Sequence, residues 1–241
     1  MKNQVHPILT KRPAAERGQA NHGWLQANFT FSFGEYFDPD HMGFKSLRVM
    51  NNDTIQPGGG FPEHPHDNME IFTYIIEGQL EHRDSMGNGA TIKAGDLQYM
   101  SAGSGIQHSE FNPSKTKPTH LYQIWLQPNQ RDGEPRYAEK PLGELVKDNQ
   151  LTLLFSADGR DGSTAIRQDA EIYFGEIEKN QSVAVPTSSS SPHVWIQVIS
   201  GNITMLGESL TTGDGLAIQN AADEFLIKTT TDTKLLLFRL S

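Results

Sequence analysis

The stretch IFTYIIEGQLEHRDSMGNGATIKAGDLQYM, Ile71 to Met100, reads as strand, glycine, strand, turn and strand, closing on Gly95-Asp96-Leu97. Its apolar runs have strand length, and Gly78, Gly87-Asn88 and Ala94-Gly95-Asp96 separate them as turns. The same order returns in VWIQVISGNITMLGESLTTGDGLAI, Val194 to Ile218, with Gly201 in place of Gly78 and Gly213-Asp214 in place of Gly95-Asp96. A strand-glycine-hairpin unit that occurs twice predicts two related β domains. Outside the repeat, His120 to Leu126 and Leu235 to Leu240 are further strand-length runs, and only Lys140 to Asn149 carries helical spacing, at Leu142, Leu145 and Val146. The expected fold is therefore all-β, a sandwich or barrel. The charged, Pro/Gly-marked segment Arg131 to Asn149 is the natural connector. We accordingly expect an N-terminal domain over 1–135, a partly helical connector over 136–149 and a C-terminal domain over 150–241.

Composition narrows the chemistry. With 241 residues, 36% of them hydrophobic, the chain is long enough to bury a core without staples. It carries 29 acidic against 20 basic side chains, a formal charge of −9, so direct nucleic-acid binding is disfavoured. There is no cysteine, which removes disulfides, thiolate metal sites and cysteine nucleophiles, and any metal must be held by His, Asp or Glu. No apolar run approaches the ~18 residues of a membrane span, and the first residues lack a signal-peptide core. The expectation is a cytoplasmic protein with no membrane partner.

Two triplets carry metal chemistry: His64-Pro65-His66 and, 42 residues on, His108-Ser109-Glu110. Residues two apart on a strand share a face, so each triplet projects two ligand-competent groups together. If the strands are neighbours, three imidazoles and a carboxylate converge, a set suited to Fe(II), Mn, Co, Ni, Cu or Zn. Pro65 cannot donate a ladder hydrogen bond, which places its segment at an edge. Glu70 has the parity of His66 and reads as an acceptor behind an imidazole or as a rival ligand. Phe61, Tyr99 and Phe111 are candidates to line an apolar pocket, or equally to fill a barrel core. His6, His22, His41, His82, His120 and His193 read as surface or satisfied core histidines.

The chain resembles the pirin family, bicupins of the cupin superfamily, and in particular its bacterial quercetinase-like members. The first cupin motif is matched by Gly58, His64, His66 and Glu70, with Gly78 following after seven residues where the pattern has six. The second is matched more loosely by Gly95, Gly105, His108 and Asn112. The strings FPEHPHDNMEIFTYIIEG, SAGSGIQHSEFNPS and HLYQIWLQP make the resemblance specific, and it spans nearly the whole chain. It implies two cupin barrels and one metal ion, Fe(II) favoured, held by His64, His66, His108 and Glu110, which ranks Glu110 above Glu70. It also implies a quercetin 2,3-dioxygenase type of activity: both atoms of O2 enter the flavonol heterocycle and carbon monoxide leaves. Glu110, the one acid/base candidate the motif supplies, is then expected to take the 3-hydroxyl proton. Eukaryotic pirins look like nuclear, iron-dependent transcription cofactors, so the alternative is a metal- or redox-sensing binding protein acting through a protein partner. In the second unit, offsets counted from Gly201 reach Thr187, Ser189 and His193, and those from Gly213 reach Leu226 and Lys228. No four-ligand set results, so the C-terminal domain is expected to be metal-free.

Overall fold

The computed structural model describes residues 6–188, 190–221 and 223–241. The chain runs through β1 (Ile8–Arg12), β2 (Gly18–Asn21), β3 (Leu25–Phe29), β4 (Leu47–Ile55), β5 (Gly60–His66), β6 (Glu70–Glu77), β7 (Gln79–Asp84), β8 (Gly89–Lys93), β9 (Asp96–Ser101), β10 (Ile106–Phe111), β11 (Thr119–Leu126) and β12 (Arg136–Pro141). After the one-turn helix α1 (Leu142–Leu145) come β13 (Gln150–Ser156), β14 (Thr164–Ala165), β15 (Ala170–Ile177), β16 (Ser182–Ala184), β17 (His193–Ser200), β18 (Asn202–Met205), β19 (Glu208–Thr211), β20 (Gly215–Gln219), β21 (Leu226–Thr229) and β22 (Thr233–Leu240). The fold is all-β, and no helix of the described residues is long and apolar enough to cross a membrane.

Two compact units result, Arg17–Glu144 and Leu145–Ser241 with the chain up to Glu16. Each unit has a seven-stranded and a four-stranded sheet. In the first unit the orders are β12-β9-β6-β11-β4-β3-β2 and β5-β10-β7-β8. In the second they are β1-β20-β17-β22-β15-β13-β14 and β16-β21-β18-β19. The sequence repeat is thus β6 to β9 against β17 to β20, and the likeness extends to β10, β11 and their counterparts β21, β22.

Two expected boundaries differ from this arrangement. β1 pairs along its whole length with β20, so the start of the chain is an edge strand of the C-terminal unit and not of a domain over 1–135. The segment 136–149 is no mere connector, because Arg136–Pro141 pairs with β9 and only Leu142–Leu145 is helical. β1 and β12 hold the same edge of their respective sheets. An edge strand contributes one ladder and little patterned core, so its partner is not written in its own sequence.

Matching the two units by pairing shows what fills each interior. Glu81 and Thr204 are each the third residue after the repeat glycine, and they face Phe111 and Lys228. Stepping back along β10 and β21, Glu110 matches Ile227 and His108 matches Phe225. His82 matches Met205, and His64, opposite His108, matches Val185, whose amide bonds the Phe225 carbonyl. Val185, Met205, Phe225 and Ile227 all belong to the apolar core of the C-terminal unit. The connection from Gly213 is one residue shorter than that from Gly95, so the count that reached Leu226 and Lys228 is displaced by one. Thr187 lies beyond β16, and Ser189 lies outside the described residues.

Gly78 and Gly201 close the same turn with φ of 80° and 93°. At Gly201 a Cβ would collide with the Asp232 carbonyl and Thr233, whereas at Gly207, φ 83°, nothing lies within 4 Å. Gly207→Ala is therefore expected to cost only the conformational penalty, about 1 kcal/mol, and Gly201→Ala at least about 2 kcal/mol. Urea denaturation of the two variants tests this; equal losses would remove the packing argument.

Candidate metal centre

β5 is the outer strand of its sheet, which is where Pro65 can be accommodated. It supplies His64 and His66, and its neighbour β10 supplies His108 directly opposite His64. Ring centroids are 4.5 Å apart for His64 and His108, 4.8 Å for His64 and His66 and 4.9 Å for His66 and His108. A ligand nitrogen from each lies within 4.8 Å of the others. A bulge between the His108 and Glu110 positions lets Glu110 pair with Phe61.

The hydrogen bonds fix which nitrogens keep a lone pair. His64 Nδ1 donates to the Pro62 carbonyl at 2.8 Å, which leaves Nε2 as the acceptor. Behind His108 stand His82 and Asp84, both with fully buried side chains. Asp84 accepts from Met86 N, Asn88 N and Asn88 Nδ2 at 2.8 to 3.0 Å, and its Oδ2 meets His82 Nε2 at 3.3 Å. An acceptor there puts the His82 proton on Nε2. With His82 as a neutral imidazole, its Nδ1 faces His108 Nδ1 at 3.4 Å as an acceptor, and His108 carries its proton on Nδ1. The consequence is that His108 Nε2 is a bare lone pair, buried and with no hydrogen-bond partner.

A buried, unpartnered nitrogen among three imidazoles is an expensive arrangement unless a cation completes it. Burial, and then the neighbouring imidazoles His64, His66 and His82, push His108 down to about 2. Burial and His64 push His66 down to about 4. Both rings are neutral at pH 7, the form that binds a metal. The donor set fits a single first-row transition-metal ion.

Glu110 is held on the inner side of this cluster, where it forms a second group with His82 and His108. His108 is common to both groups. Thr73 Oγ1 donates to Gln123 Oε1 at 2.9 Å, and Gln123 Nε2 donates to Glu110 Oε2 at 3.0 Å. Burial raises the Glu110 pKa, opposed by His82 and the Gln123 amide. Strand register explains this support: Asn51, Gln123, Thr73 and Gln98 are successive cross-strand neighbours, a polar row across one face of the seven-stranded sheet. Beside it on the same face runs the row Val49, Trp125, Ile71, Met100 and Tyr137.

The centre adjoins a cavity of about 830 Å³ lined by Trp24, Phe29, Phe33, Tyr36 and Phe61, with Asn51 and Asp53 also at its wall. Phe61 lies 6.3 Å from His64, and Phe33 reaches His66 through Trp125 with ring distances of 5.5 and 4.9 Å. Asp53 is 4% exposed, and burial together with the charge of Glu110 pushes it up to about 8 against the pull of Arg17.

Three sequence expectations need correction. Glu70 bonds Tyr99 Oη and Ser101 Oγ, each at 2.5 Å, on the face of β6 opposite to Thr73. It neither backs an imidazole nor competes for the ion, since the turn after His66 begins a strand of another sheet and parity does not carry across. Tyr99 stacks on Phe72 on that same far face and lines no part of the cavity. Phe111 is 37% exposed, because alternation along β10 turns it outward. His82, read as a bland histidine, is the residue the sequence reading missed; the only signal was its two-residue spacing to Asp84. Asn51 and Asp53 are likewise two apart, and no motif in the sequence marks them.

Substituting His82 by Leu should free the His108 ring to turn and lower metal affinity about 10- to 100-fold, measured by chelator competition; unchanged affinity would refute the proton order given above. For metal-free protein, Asp53→Asn tests the buried carboxyl. With a folded pKa of about 8 and an unfolded value near 3.9, the folded state holds the extra proton between them, so native stability falls as pH rises through that window. The melting-temperature advantage of the variant should grow from about pH 4 to about pH 8 and then level off.

Two family profiles match the sequence, Pirin over residues 10–126 and Quercetinase C-terminal cupin domain over residues 153–240. A quercetin 2,3-dioxygenase of Escherichia coli is 48% identical over 97% of this chain and 99% of its own. The solved structure of the bacterial pirin YhhW in complex with nickel(II), also from Escherichia coli, matches with a TM-score of 0.91 and 45% identity, covering 97% of this chain and 99% of that one. The pirin-like protein YhaK of the same organism is 35% identical over 91% of this chain and 94% of its own. The three-imidazole centre, the paired cupin-like units and these relatives agree, and the chain belongs to the pirin family.

Proposed function

We propose that the protein is a metal-dependent dioxygenase that opens flavonols such as quercetin with O2, with Fe(II) as its ion and one ion per chain. The observation that carries this reading is the bare His108 Nε2 lone pair, set beside the rings of His64 and His66 and next to an aromatic cavity. The similarity to quercetin 2,3-dioxygenase supports the substrate class. His64, His66 and His108 would hold the ion and Glu110 would complete the set. A bound divalent ion supplies Lewis acidity toward the flavonol hydroxyl and redox chemistry toward dioxygen.

The chain's own contribution is positioning, exclusion of water and proton transfer. Trp24, Phe33 and Phe61 present ring surfaces suited to a planar aromatic substrate. Glu110, its basicity raised by burial and its orientation fixed by Gln123, accepts the 3-hydroxyl proton at a carboxylate oxygen. The heterocycle then takes up both oxygen atoms and loses one ring carbon as carbon monoxide, which leaves an ester of two aromatic acids. In the C-terminal unit the matching positions are apolar, and that unit serves as scaffold.

Anaerobic reconstitution with single metals, followed by oxygen uptake on adding quercetin, tests the activity. Saturable uptake with Fe(II) is expected; none with any metal would overturn the reading. Glu110→Gln should lower kcat about 10²- to 10⁴-fold while keeping much of the metal, and normal turnover would remove Glu110 from the chemistry.

A further inference from the structure

Two residues at the wall of the aromatic cavity carry buried oxygens with no hydrogen-bond partner among the described residues. Asn51 and Asp53 are 3% and 4% exposed, and Oδ1 of each is buried without a hydrogen-bond partner. Both line the cavity, side by side on the same face of β4. Asn51 lies directly across from Gln123, whose amide holds Glu110, so the pair sits about one strand spacing, ~4.8 Å, from the carboxylate's support. The matching face of β3 offers Ala27 and Phe29, which can donate nothing from their side chains.

We propose that Asn51 and Asp53 are specificity residues that accept hydrogen bonds from ring hydroxyls of a polyphenolic substrate, hydroxyls other than the one that meets the metal. This rests on the flavonol reading above and narrows it to multiply hydroxylated flavonols. Before binding, water can serve the two acceptors. A planar ligand that fills the cavity displaces that water and must replace its hydrogen bonds or leave both oxygens unpaired. A ligand with hydroxyl donors on its rings replaces them, and a bare aromatic ligand does not. Each unpaired buried acceptor weakens binding by roughly tenfold.

The test is a binding measurement under argon on the Zn(II)-loaded protein, comparing quercetin with 3-hydroxyflavone, which keeps the metal-facing hydroxyl and lacks the others. The native protein should bind quercetin about 100-fold more tightly, about tenfold for each acceptor. In Asn51→Leu and in Asp53→Leu that ratio should fall about tenfold, and in the double Leu variant it should collapse toward one, while Asp53→Asn, which keeps a carbonyl oxygen, should preserve it. Melting temperatures of the Leu variants should not fall, because an unpartnered polar group has been replaced by an apolar one of similar size; this identifies the variants that are folded. A native ratio near one, or a ratio that survives in both folded Leu variants, would overturn the assignment. Quercetin binding here, combined with no oxygen uptake by any of the singly reconstituted metal forms in air, would overturn only the dioxygenase reading, and failure to bind either flavonol would overturn both.

Discussion

The structure of the centre depends on the order of protons along Asp84, His82 and His108. Asp84 is locked as an acceptor by three donors of the β7–β8 turn, so His82 must present a proton to it and a lone pair to His108. His108 in turn donates its Nδ1–H to that lone pair and keeps Nε2 bare. Each step is a local hydrogen bond, yet the sum is a nitrogen with no partner where His64 and His66 also point their rings. A buried lone pair without a donor is costly in any apolar interior. Here the cost is offset when a cation arrives, and that makes the cluster a site instead of a packing defect.

The two units show what the same scaffold does without that constraint. Sheet order, turn glycines and strand pairing coincide, yet His64, His82, His108 and Glu110 give way to Val185, Met205, Phe225 and Ile227. Among the described residues the apolar set belongs to a single core cluster, whereas on the site face of the N-terminal unit one cluster gathers around Ile55, Ile75 and Leu121 and a separate one around Ile71 and Met100. The polar row of Asn51, Gln123, Thr73 and Gln98 crosses the sheet within this divided interior. Metal chemistry occupies, in one barrel, positions that apolar side chains fill in the other.

Much of this was legible in the sequence, for identifiable reasons. The repeat is carried by Gly78 and Gly201, whose left-handed turns only glycine adopts without strain, and by strand-length apolar runs between them. His64, His66 and His108 stand out because alternation is local and survives in an isolated strand. What does not survive is a residue count carried across a turn, whether of strand parity or of offset. The parity of Glu70 was counted through Asp67-Asn68-Met69, although Asn68 turns back with φ 47° and the chain leaves one sheet for the other. The counterpart residues in the second unit were missed by one position, because a loop one residue shorter shifts everything after it. His82 was passed over since its partner, β10, is 26 residues distant in sequence for the His82–His108 contact, and nothing in either strand names the other.

The same limit explains the cavity wall. Asn51 and Asp53 lie on a strand that otherwise looks ordinary, and a polar residue on a buried face would normally be read as satisfied by its neighbours. Only the register places Asn51 opposite Phe29 and Gln123, and Asp53 opposite Ala27 and Leu121. Three of those four neighbours are apolar, and the fourth, Gln123, already spends its amide on Glu110 and its carbonyl on Thr73. Asn51 is therefore left without a partner because Gln123, its one polar neighbour across the sheet, is committed to the carboxylate, and Asp53 because both its cross-strand neighbours are apolar. Holding the proton acceptor and leaving the wall open to a ligand are one arrangement of hydrogen bonds, seen from its two ends.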